Sequence, residues 1–205
     1  MGTLHFKHFR HLIAVCLLCG LALPASAHVS VMHAVGGFQA GFIHPLTGLD
    51  HLLAMLAVGI WAAQYRRSVM WVLPVVFPLM MAVGAYLGVV FGAGAAGLPG
   101  LEAGIAASVL ILGLLIAFAV QLPVAASSVL VAVFALIHGY AHGVELPATG
   151  SALTYGIGFV LATALIHCAG IFAANLPRAL MRKRFSRVAG AGIAATGLFF
   201  LFAAV

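Results

Sequence analysis

The chain has 205 residues, of which 65% are hydrophobic and only 6% charged, and its mean hydropathy is +1.24. Soluble domains carry about a quarter charged residues, so composition excludes a soluble fold and points to a membrane protein with lipid as its surroundings. The net charge of +6 rests on nine basic residues too few and too scattered to form a nucleic-acid surface, so no nucleic-acid partner is expected.

Residues 1–27 read as a secretory signal peptide. Lys7 and Arg10 make a positive n-region, "LIAVCLLCGLAL" (12–23) is an apolar core, and Ala25 and Ala27 offer a cleavage site of the A-x-A kind. That core is short for a membrane crossing, although an uncleaved first helix stays open. Cleavage would remove Cys16 and Cys19, leaving Cys168 and no disulfide framework. It would also make His28 the new N-terminus. His28 and His33 can gather metal outside the membrane or simply be solvated.

With about 20 apolar residues per crossing, residues 28–205 predict one all-α domain, a polytopic bundle of six transmembrane helices. They fall near 43–64, 69–92, 101–120, 124–144, 150–174 and 188–205, separated by stretches rich in Pro, Gly or charge. Arg66 and Arg67 lie in the first loop, and Arg178, Arg182, Lys183, Arg184 and Arg187 in the fifth. In a six-span chain those loops share one side, which the positive-inside rule makes cytoplasmic. The expected location is therefore the bacterial cytoplasmic (inner) membrane, with the mature N-terminus outside.

The first span opens with "HPLTGLDHLLAM", residues 44–55. Pro45 suits a first helical turn, so the helix is expected to start near His44. His44 and His51 are two turns apart on one side of such a helix, separated by about 10.5 Å unless the chain unwinds near Gly48. Asp50 stands next to His51, and a carboxylate beside an imidazole is a metal-binding or ligand-orienting pair. Ionisable groups inside a membrane are costly, and a bound cation would offset that cost. The plainer alternative has His44 and Thr47 capping the helix while Asp50 bonds a neighbouring helix.

Glu102 opens the third span, where a helix N-terminus favours negative charge. The fourth span ends "ALIHGYAHGVELP", placing His138, His142 and Glu145 on a narrow stripe of one face. Two histidines at i, i+4 can present imidazoles to one divalent cation. Gly139 takes the place of the glutamate in H-E-x-x-H, which argues against a zinc hydrolase, and no enzyme is expected. Gly139 and Gly143 form a G-x-x-x-G contact for another helix. Antiparallel first and fourth spans would put His44 level with Glu145 and His51 level with His138. Helix packing by these histidines remains the alternative. His167, beside Cys168 on the fifth span, is either an exit site or a histidine bonded to a neighbour.

"HPLTGLDHLLAMLAVG" resembles the His-Pro-x-x-Gly-x-Asp-His signature of the HupE/UreJ family of nickel/cobalt permeases, and "IHGYAHGVELP" is similar to its second block. The resemblance implies a six-span transporter with a cleaved signal, and metal handling by His44, Asp50, His51, His138, His142 and Glu145. It implies nickel or cobalt uptake as a secondary permease or facilitator, supplying urease or nickel-iron hydrogenase. His28 and His167 are secondary candidates. No resident cofactor is expected, only the transported divalent metal ion; a homo-oligomer stays open. Imidazole and carboxylate donors suit nickel, copper or zinc on their own chemistry. A membrane b-type haem carrier would also place histidines in helices, but leaves Asp50 and Glu145 unexplained.

Overall fold

The computed structural model describes residues 37–92, 100–146, 151–176 and 179–204. The expected signal peptide, His28, His33 and Arg178 lie outside them. Among the described residues the chain is all-helical: α1 Gly37–Thr47, α2 Leu49–Ala62, α3 Val72–Phe91, α4 Leu101–Ala117, α5 Val124–Val144, α6 Ala152–Asn175 and α7 Ala179–Ala203. Four of these, α3, α5, α6 and α7, are long and apolar enough to cross a membrane. The pair α1 and α2 passes the same test taken together, bent by 81° as a broken span or a re-entrant loop is. α4 is apolar but has 17 residues, a length of about 26 Å.

The bent pair corrects the expectation of a continuous helix beginning near His44. Pro45 lies inside α1, not at a helix start. Its ring cannot donate to the Gly41 carbonyl, which weakens the last turn of α1. The Thr47 hydroxyl donates to the His44 carbonyl at 2.9 Å. Gly48 then turns extended at φ −86°, ψ 112°. Its carbonyl accepts the Leu52 N–H at 2.9 Å, which restarts the helix as α2. Asp50 falls in the first turn of α2, where the helix dipole favours a carboxylate.

α2 is the central element. Ala54, Met55, Ala57, Val58, Ile60 and Trp61 are all buried, enclosed mainly by α6 and α4. The other helices pair around it: α3 with α5, α4 with α7, and α1 with α6. Small residues set these close approaches. A Cβ at Gly139 would strike the Met81 carbonyl, and one at Gly143 the Ala85 carbonyl, so α3 is the helix that docks on this G-x-x-x-G surface. Gly59 and Gly170 do the same for α2 and α6.

Polar bonds fix the far end of α2. Trp61 Nε1 donates to the Val120 carbonyl at 2.9 Å, and Tyr65 OH donates to that of Leu122 at 3.1 Å while lying 2.7 Å from Ser127 Oγ. Gly190 of α7 packs against Ala117 at the same end of α4. Exposed Arg66 and Arg67 therefore share one end of the bundle with exposed Arg182, Lys183, Arg184 and Arg187. The last helix starts at Ala179, earlier than the expected 188, because basic residues are good helix formers and carry the helix past its apolar stretch.

Candidate metal centre

The bend at Gly48 turns α1 and α2 so that His44 and His51 meet on its concave side. Their ring centroids lie 6.2 Å apart, well inside the roughly 10.5 Å of a straight helix. From α5, one turn apart on one face, His138 and His142 reach the same place. His142 stands between the two halves, 4.6 Å from His44 and 4.5 Å from His51 by ring centroids. His138 lies 5.1 Å from His51. All four imidazoles are buried. The levels read from sequence are thus occupied by touching side chains, although α5 packs its backbone on α3 and α2 packs on α6 and α4.

Hydrogen bonds orient two of the rings. His51 Nδ1 lies 2.8 Å from Asp50 Oδ1, which also accepts the His51 backbone N–H at 2.8 Å. His138 Nδ1 lies 2.9 Å from the Phe134 carbonyl. Carboxylate and carbonyl oxygens only accept here, so each Nδ1 carries the proton and each neutral ring turns a lone pair to Nε2. Both Nε2 atoms are buried with no hydrogen-bond partner among the described residues. A buried polar atom left so costs about 1–3 kcal/mol, and two neighbouring lone pairs are what a cation needs.

At the outer side of the cluster, His44 Nε2 lies 3.7 Å from Glu145 Oε2. One donor atom each from His44, His142 and Glu145 lie within 4.8 Å of one another. Two atoms sharing an ion through bonds near 2.1 Å stand at most about 4.2 Å apart, so a small contraction suffices. Glu145 is the exposed member, with 46% of its side chain accessible, and forms the C-cap of α5. A cavity of about 310 Å³ between α3, α5 and α6 reaches His142 past Met81, Tyr86, Tyr155 and Phe159.

Glu145 and Asp50 lie against the histidines, whereas Glu102 sits in the first turn of α4, as expected for a carboxylate at a helix N-terminus. Sequence reasoning missed one part of this centre, the aromatic ring that closes it. Phe77 of α3 closes the inner side, 5.9 Å from His138 and 5.3 Å from His167. His167 is buried but lies beyond that ring, outside the cluster of four.

Fold and centre together define a multi-pass helical membrane protein with a buried polyhistidine cluster at one end. The family model described as HupE / UreJ protein matches residues 15–200. The chain is also 42% identical over 180 residues to Protein HupE of Rhizobium leguminosarum bv. viciae, covering 88% of this chain and 92% of that protein. The chain belongs to the HupE/UreJ family. No solved structure matches it.

Proposed function

We propose that the protein carries a divalent transition-metal ion, nickel or cobalt, inward across the bacterial cytoplasmic membrane as a secondary permease or facilitator. The observation that carries this is the pair of oriented, buried Nε2 lone pairs on His51 and His138, flanked by His142 and His44. Glu145 and His44 admit the ion from outside, His142 hands it on, and His51 with His138 hold it deeper. Asp50, with one oxygen already given twice to His51, positions that imidazole. The imidazoles in contact with one another, His44 with His142 and His51 with both His138 and His142, leave no flat slot between them for a porphyrin, which disfavours the haem alternative.

In this reading Leu101–Ala117 serves as a sixth span, cleavage after Ala27 releases the signal, and the mature N-terminus faces outward. Inside-negative potential favours inward movement of a divalent ion by about 4.6 kcal/mol per 100 mV, twice the unit-charge value, so influx needs no nucleotide hydrolysis. The metal would supply enzymes such as urease or nickel-iron hydrogenase. Metal accumulation in cells with and without the protein, for nickel, cobalt and zinc in parallel, tests the function. Accumulation of nickel or cobalt above the control is expected; equal content for all three metals would sink it.

A further inference from the structure

All five histidines among the described residues lie on one chain of ring contacts, running from His44 through His142, His51 and His138 to Phe77 and then His167. His167 is 1% exposed, and neither ring nitrogen has a hydrogen-bond partner among the described residues. The Pro74 carbonyl, which lost its helical donor to Pro78, is the backbone acceptor beside it, at a geometry short of a closed hydrogen bond. One turn earlier on α6, buried Thr163 donates to Met55 Sδ at 3.5 Å, and Met55 follows His51 by one turn on α2. A hydroxyl and a soft thioether therefore lie in the packed layer one turn from His51 and one turn from His167. Conduction requires sites that bind firmly enough to admit an ion and loosely enough to release it. Four imidazoles alone would hold the metal; a weaker site beyond them breaks its release into smaller steps that the membrane potential can drive.

We propose that His167 is a second metal-binding station for the same divalent transition-metal ion, of low coordination number, set across the Phe77 ring from the four-histidine cluster. This rests on the permease reading above. Its test uses purified full-length protein in detergent and in proteoliposomes, with nickel and cadmium as probes. His167→Gln retains a donor for the Pro74 carbonyl but is a poor metal ligand. Changing even a residue that only supports a ligand costs 10–100-fold in affinity, so nickel influx should fall by about tenfold or more at equal protein level. Nickel should still bind the protein in detergent through the other four histidines. His167→Cys in a Cys168→Ser background should give an ultraviolet thiolate-to-cadmium band that the Cys168→Ser parent lacks. Wild-type influx in His167→Gln, or no new band in His167→Cys, overturns the station while leaving the permease standing. Failure of wild-type protein to move nickel, cobalt or zinc would instead overturn the permease reading, and the station with it.

Discussion

At the scale of single residues, the centre separates groups by what their loss leaves behind. His51 and His138 offer buried lone pairs, so His51→Ala and His138→Ala should reduce uptake to background with membrane levels intact, because the ion keeps its desolvation cost and loses a partner. Asp50→Asn removes charge but keeps an acceptor oxygen, and its expected effect is that of an orienting carboxylate, a 10–100-fold loss in metal affinity. Glu102→Gln should be milder. A carboxylate at a helix N-terminus is worth about 0.3–1 kcal/mol, so a loss of up to about fivefold is expected. Uptake measured with immunoblotted membrane levels checks the series. Normal transport by His51→Ala and His138→Ala together would show that the ion takes another route.

At the scale of elements, packing glycines and one bend decide where those residues stand. Gly139 lies one residue beyond His138 and touches the α3 backbone at Met81, so any Cβ there must push α5 off α3. Gly139→Val should destabilise the protein by about 1–3 kcal/mol through overpacking, read as a lower melting temperature in detergent. The same change should weaken metal binding, since α5 carries two of the four imidazoles; an unaltered melting temperature would contradict the packing. This contact surface was legible in the sequence, as were the apolar helices and the stripe of His138, His142 and Glu145, because each depends on local spacing. The partner of Gly139 was not, since nothing in one helix's sequence says which neighbour docks on it. The bend was misread for a physical reason. Pro45 fits a helix start as well as a helix end, and only the α1 contacts with α6, where Gly41 meets the Tyr155 backbone, decide between them. The placing of His167 behind Phe77 likewise depends on tertiary structure, which spacing along the chain does not encode.

At the scale of the whole molecule, charge is divided between two ends. The acids and the four-histidine cluster gather where α5 finishes, and the exposed basic residues gather where α5 begins, about 31 Å away along its 21 residues. Basic residues near span ends stay in the cytoplasm, so this division predicts that the cluster faces outward and the arginines inward. The outward acids would concentrate a cation at the side from which it is drawn, and the membrane potential would act on it over the remaining thickness. Single cysteines can read this directly in a chain with its native cysteines replaced. Arg184→Cys, on the exposed start of α7, should react with a membrane-impermeant maleimide only after cells are permeabilised. Ser151→Cys, exposed at the start of α6, should react in intact cells. Since α6 runs back toward the basic end, the two positions report opposite faces whether or not the 17-residue α4 crosses. Labelling of Arg184→Cys from outside, with Ser151→Cys protected, would invert the molecule in the membrane. It would turn the cluster toward the cytoplasm, and the same geometry would then describe release of metal instead of its capture.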